Sequence, residues 1–375
     1  MIRAHKIRLN PTPEQEIYFR KAAGTKRFVY NQALELWKWG KAQGLEEFGV
    51  MEIKRQINLF KEEQFPWMYE VAKDVFEGAI ADLGIALKNY FDWKTGKRKG
   101  TKVGFPKPKT KKEKRQSFRL NNDKFKVDAG AHGVRFWVPN LGWVNMAEAL
   151  RFQGKIMGAV VSKSADWWFV SIQVEIEQPE PIKFEHASTG VDVGIKALAT
   201  LSNGDEFENQ KPLRRQQNRL RRLNRSLARR VKGSKRWWKA KQKLGRFHFH
   251  VANQRADAQH KASNAVAKTY AFIGLEDLHV KGLVKNKKLA LAVSDVGLGE
   301  FIRQIEYKSA ALGGKTQKVG RFYASSKTCN ACGRINQDLT LTDRKWTCQG
   351  CGTVHQRDWN AAKNIEQEAL RLACA

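Results

Sequence analysis

The sequence predicts a multidomain protein, α+β in its first half and α/β in its second, and three changes of texture predict it. Apolar residues recur at helical spacing through 12–93, short period-two runs occupy much of 94–180, and strands alternate with helices beyond 184 until four cysteines interrupt them. At 375 residues the chain has room for two or three domains and at least one substantial core. Hydrophobic content of 42% with 10% aromatic residues argues for a folded chain rather than a disordered one. No apolar run approaches the roughly 18 residues that span a bilayer. The chain does not open on a charged, apolar, small-residue leader, so a soluble, cytoplasmic protein is expected.

Ile2–Leu9 reads as a first strand. Thr12-Pro-Glu-Gln15 then has the form of a capping box with proline at the first helical position. Phe28, Ala33, Leu34 and Trp37 line one helix face, Ile53, Ile57 and Phe60 a second, and Val71, Val75, Ala79, Ile80, Leu83, Leu87 and Tyr90 a third. Gly, Pro and Lys crowd 94–115, which reads as a basic loop. Strand-like runs follow at Phe125–Asp128, Val134–Val138 and Gly142–Val144. The pair Ile156–Val161 and Trp167–Ile176 flanks a short turn at 164–166. A small β-barrel or sandwich with a helical insert fits this order.

A proline-containing linker at 178–183 precedes the third texture. Val191–Leu201 reads as a hairpin, 211–268 as long basic helices, and Ala271–Leu275 as a short apolar strand. Leu298, Phe301, Ile302 and Ile305 lie on one helix face.

Charge narrows the function. Lys and Arg number 69 against 37 acidic residues, a net charge of +32. Residues 211–246 hold sixteen Lys/Arg and no acid, and 94–115 hold eleven against Glu113 alone. Such an excess seeks a polyanion. A membrane surface fits poorly because no apolar face accompanies the charge, so nucleic acid is the expected partner. Trp237-Trp238 lies inside the second tract, where it either makes a helix-packing contact, the plainer explanation, or stacks on bases.

Cys329-Asn-Ala-Cys332 and Cys348-Gln-Gly-Cys351 form a C-x₂-C-x₁₅-C-x₂-C set, each pair followed by glycine. That spacing suits one tetrahedral Zn²⁺ on four thiolates, a structural site with no position left for catalytic water. Two disulfides are the alternative, which a reducing cytosol disfavours. Cys374 is left as a free thiol.

Three carboxylates complete the pattern. Asp192 sits in the apolar stretch Val191–Leu201, Glu276 ends the strand Tyr270-Ala-Phe-Ile-Gly-Leu-Glu276, and Asp358 starts a helix whose apolar face is Ala361, Ala362, Ile365, Ala369 and Leu372. Singly, they read equally well as a turn residue, a loop start and an N-cap. Together they match the need of phosphoryl-transfer sites for converging carboxylates. Such sites hold two divalent ions, and Mg²⁺ favours hard oxygen ligands of this kind.

These residues resemble a known family. Gly190-Val-Asp-Val-Gly-Ile195, Gly274-Leu-Glu276, the cysteine set and Asp358-x-Asn360-Ala-Ala-x-Asn364 are similar to the RuvC-type nuclease of transposon-encoded TnpB proteins, relatives of compact type V CRISPR effectors. Lys26-Arg-Phe-Val-Tyr-Asn31, Lys102-Val-Gly-Phe-Pro106 and Ser325-Ser-Lys-Thr-Cys329 extend the likeness over essentially the whole chain.

The resemblance implies a wedge-like β-barrel at 1–11 and 94–180 with a helical recognition insert at 12–93. An RNase H-like RuvC domain at 184–318 and 357–375 would be interrupted by a zinc ribbon at 319–356. Asp192, Glu276 and Asp358 would be catalytic Mg²⁺ ligands, with Asp192 facing a cleft, and Cys329, Cys332, Cys348 and Cys351 would hold zinc. The implied activity is RNA-guided DNA cleavage. Guide RNA from the transposon end would pair with the target strand of double-stranded DNA, and residues within 50–125 would read a short adjacent motif. The setting would be prokaryotic and nucleoid-associated. A repressor that has lost cleavage and a transposase acting by strand transfer are the competing readings. The intact acidic triad speaks against the first and the whole-chain likeness against the second.

Overall fold

Among residues 1–45, 48–111, 116–131, 133–178, 180–340 and 342–374, which the computed structural model describes, two units form around separate cores, Met1–Glu177 and Gln178–Ala375. The first runs β1 (Ile2–Asn10), α1 (Pro13–Ala42), α2 (Val50–Gln64), α3 (Lys73–Lys94), β2 (Ser117–Asn121), β3 (Lys126–Asp128), β4 (Arg135–Val138), β5 (Gly142–Met146), β6 (Lys155–Ser164) and β7 (Trp167–Glu175). The predicted capping box forms: Thr12 Oγ1 accepts from the Gln15 N–H, and Gln15 Oε1 accepts from the Thr12 N–H.

β1 pairs antiparallel with both β5 and β7, and the seven strands make one sheet in the order β2-β6-β7-β1-β5-β4-β3. One sheet, not two, removes the sandwich alternative. Its outer strands β2 and β3 are not paired with each other among the described residues, so the ladder is open. All seven strands still contribute to a single core with Phe19 and Val75 from the helices. Strand β2 lies next to the basic loop, and its alternation at Phe118 and Leu120 is too short to stand out in the sequence.

The basic loop is anchored at its described part. Phe105 packs against Trp37 and Tyr90 with ring centroids 5.6 and 5.2 Å apart. The Asn31 side-chain amide donates to the Lys109 carbonyl at 2.9 Å and accepts from the Lys109 N–H at 2.7 Å. Residues 112–115 of that expected loop lie outside the described residues.

The second unit runs β8 (His186–Val193), β9 (Ala197–Leu201), β10 (Glu206–Glu208), α4 (Pro212–Arg215), α5 (Gln217–Ala228), α6 (Lys235–Thr269), β11 (Tyr270–Glu276), α7 (Val280–Lys285), α8 (Ala290–Val296), α9 (Leu298–Ala311), β12 (Lys315–Val319), β13 (Lys345–Thr347), β14 (Val354–Gln356) and α10 (Arg357–Cys374). Its five-stranded sheet has the order β10-β9-β8-β11-β12, antiparallel from β10 to β8 and parallel from β8 to β12.

Helices α6, α8 and α9 cover one face of this sheet through Ala262, Val266, Val293, Phe301 and Ile305. α10 covers the other through Ile365 and Ala369. α5 has no buried residue, and the first buried residue of α6 is Phe247. The basic tract is therefore a solvated helical hairpin. No described helix is long and apolar enough to cross a membrane.

In the hairpin Trp237 is half-buried and Trp238 is 51% exposed. Its ring stands edge-on to Trp237 at 4.8 Å, with Lys241 Nζ 4.9 Å from one ring centre and 4.7 Å from the other.

Candidate active site

Strand register and one helix bring the three carboxylates together. β8 and β11 are parallel neighbours with Gly190 opposite Gly274 and Val191 opposite Leu275. One step further sets Asp192 beside Glu276, on strands about 4.8 Å apart. Val191 and Leu275 point into the core, so by the two-residue period Asp192 and Glu276 share the opposite face with Gly190 and Gly274.

That face carries α10. A Cβ on Gly190 would lie 2.0 Å from the Ala362 carbonyl oxygen, and one on Gly274 would lie 2.8 Å from Ala369 Cβ. Glycine is required at both places by close approach of the helix. Four helical residues and two strand residues each span about 6 Å. Stepping back from Ala362 to Asp358 and forward from Gly190 to Asp192 therefore brings Asp358 level with Asp192.

All three carboxylates are half-buried. Burial, and then the charges of Glu276 and Asp358, push Asp192 up to about 8, against the smaller opposing pull of Arg357 and Arg344. Burial also raises Glu276, and the hydrogen bond from Ser325 Oγ at 2.7 Å opposes that rise. Asp358 is the second residue of α10 rather than its cap. It is paired with Arg357 at 3.0 Å and with Arg344 at 3.4 Å. No hydrogen bond from a described side chain reaches the Asp192 carboxylate. A half-buried group of mutually repelling oxygens is a donor set that a hard divalent cation fits. The carboxylates are not drawn into one tight cluster. Among the described residues only the four cysteines bring three or more ligand atoms within 4.8 Å of one another.

The cysteines form no disulfide. Cys329 and Cys351 sulfurs are 3.6 Å apart, as are those of Cys332 and Cys348. A bonded pair would be ~2.05 Å apart, whereas thiolates ~2.3 Å from a shared tetrahedral metal are about 3.8 Å apart. Both knuckles close alike: Gly333 N–H donates to the Cys329 carbonyl and Gly352 N–H to that of Cys348, with φ of 78° and 73°. His355 Nε2 sits 3.0 Å from Cys329 Sγ, within hydrogen-bonding distance. Cys374 is free and exposed.

Sequence reasoning missed Ser325 on Glu276, Arg344 and Arg357 on Asp358, and His355 on Cys329. Only Ser325 lay in a motif already singled out. Arg357 is the chain neighbour of Asp358, whereas Arg344 and His355 are single polar residues whose partners are set by folding.

The OrfB_IS605 family, described as "Probable transposase", matches residues 171–287. A family described as "Cas12f1-like, TNB domain" matches 299–365, and one described as "Helix-turn-helix domain" matches 1–45. A Streptomyces pristinaespiralis protein named "Putative RNA-guided DNA endonuclease" is 33% identical, over 97% of this chain and 88% of its own. The chain belongs to the TnpB family. Another relative, "Putative RNA-guided DNA endonuclease InsQ" of Escherichia coli, is 31% identical over 97% of this TnpB-family chain and 91% of its own. The solved structure titled "Cryo-EM structure of the Cas12f1-sgRNA-target DNA complex" shares the fold at a TM-score of 0.54 and 16% identity, covering 94% of this chain and 82% of that one. In this family member the segment matched as helix-turn-helix is β1 and the single long helix α1.

Proposed function

We propose that this TnpB-family chain is an RNA-guided DNA endonuclease of a mobile element, with Asp192, Glu276 and Asp358 as its catalytic carboxylates. The observation that carries the reading is their convergence from three distant chain segments at one edge of the β8–β11–α10 layer. Relatives spanning nearly the whole chain bear the name of the same activity.

In this reading the open sheet of residues 1–11 and 94–180 is a wedge-like barrel, and 12–93 a recognition insert. Residues 184–318 and 357–375 are a RuvC-like nuclease domain, interrupted at 319–356 by a ribbon on one structural Zn²⁺ held by Cys329, Cys332, Cys348 and Cys351. Guide RNA, derived from the transposon end, and double-stranded target DNA are the partners. The helices of 211–246 grip phosphates through Arg and Lys.

Two Mg²⁺ ions on the carboxylates would activate the attacking water and stabilise the leaving oxygen. The chain's own contribution is to hold the ligands. Strands β8 and β11 fix the spacing of Asp192 and Glu276. α10, seated on two glycines, fixes Asp358, and Arg357 and Arg344 orient its carboxylate. Burial and the neighbouring carboxylates raise the Asp192 carboxyl to about 8, so a bound divalent cation would compete with a proton there.

The test is Asp192→Ala in the RNA-loaded protein. Cleavage should be lost while RNA and target binding stay within about twofold, and cleavage at the parental rate would refute the reading. Strand joining in the absence of guide RNA would instead favour a transposase.

A further inference from the structure

Ser325 lies between β12 and the first cysteine turn, and its hydroxyl donates to Glu276 Oε1 at 2.7 Å. Its own backbone is held in turn. The Ser325 carbonyl accepts from Asn364 Nδ2 at 2.7 Å and from Asn360 Nδ2 at 3.5 Å. The Thr328 carbonyl accepts from the same two amides at 2.6 and 2.7 Å. Asn360 Oδ1 accepts from the N–H of Asn330, inside the first C-x-x-C turn, at 3.0 Å.

Asn360 and Asn364 are one helical turn apart, so they face the same way on α10. Both are 2% exposed and Ser325 is 5% exposed. Each amide thus uses its donors in a place where unmet ones would be costly.

From these bonds we infer that Ser325 is a positioning residue for the carboxylate centre, and that Asn360 and Asn364 lock it, through the first cysteine turn, to the helix that carries Asp358. The inference rests on the reading of Asp192, Glu276 and Asp358 as the nuclease centre. A neutral hydroxyl on Oε1 fixes the rotamer of Glu276 without cancelling its charge and leaves Oε2 for a cation. The arginines beside Asp358 orient by a different means, at the expense of net negative charge. Through the asparagine pair, any shift of the Cys329–Cys332 turn reaches both Glu276 and Asp358, so the ribbon and the centre move as one body.

The test compares Ser325→Thr, which keeps the hydroxyl, with its isostere Ser325→Val, which lacks it, in the full-length RNA-loaded protein. Mn²⁺ affinity is read directly by electron paramagnetic resonance without DNA, alongside cleavage rate against Mg²⁺, zinc content and target binding. Ser325→Val should weaken Mn²⁺ binding and slow cleavage at limiting Mg²⁺ by about 10–100-fold, with zinc content and target binding unchanged, while Ser325→Thr stays near parental. Equal Mn²⁺ affinity in the two variants would overturn the positioning role. Asp192→Ala, run in parallel, separates the two ideas: if it cuts at the parental rate, the nuclease-centre reading itself falls.

Discussion

Asp192 holds a proton that it would lose in water. Burial and its acidic neighbours keep it near 8, against about 3.9 in an unfolded chain. The folded state therefore binds more protons than the unfolded one between those values. The Mg²⁺-free protein loses stability as pH rises from about 4 to about 8, by up to about 1.4 kcal/mol per unit. Asp192→Asn removes that cost. Its melting temperature without Mg²⁺ should exceed the parent's by about ten degrees at pH 8 and by much less at pH 5, and a calorimetric difference equal at both values would contradict the assignment. At this scale the sequence was informative where a residue broke a pattern. Asp192, Glu276 and Asp358 each stand at the border of an apolar element, and charge in such a place invites a question. Ser325, Arg344 and His355 break no pattern. Their partners, Glu276, Asp358 and Cys329, are distant in sequence or reached across a turn, and only folding selects them.

Elements explain why the residues meet. The approach of α10 to Gly190 leaves no room for a methyl group, so Gly190→Ala should push the helix off the sheet. It should cost about 3 kcal/mol and displace Asp358, read as a fall in melting temperature together with lost cleavage. Among the described residues the core of 319–356 is only Cys329, Leu339, Trp346 and Cys348, too little to hold a fold by burial alone. A strong zinc chelator should change Trp346 emission and release one zinc per chain. Unchanged emission after complete zinc removal would refute a metal-held ribbon. In the hairpin, Trp238→Ala should leave stability within about 0.5 kcal/mol yet weaken RNA binding severalfold, measured by filter binding. Helices and strands with clean periodicity, such as α3 and β7, were readable in advance. β12 was not: Lys315-Thr-Gln-Lys-Val319 has one buried residue, Val319, and is a strand because β11 lies beside it.

The whole chain behaves as a polycation with an acidic point in it. Binding of nucleic acid by a net charge of +32 should weaken by ~10³ or more between 50 and 200 mM salt if six or more phosphates are neutralised. A flat salt response in a titration would exclude that mode. This much was legible from composition, since the excess of Lys and Arg needs no fold to be counted. The division of the carboxylates among β8, β11 and α10 has a further consequence, for synthesis. A ribosome makes Asp192 and Glu276 long before Asp358, and the helix bearing the third carboxylate docks only after the cysteine module has emerged. An unfinished chain, or one cut short by a stop codon before residue 358, would display its basic helices while lacking one of the three carboxylates proposed as ligands. In the host cell such a product could hold nucleic acid without breaking it.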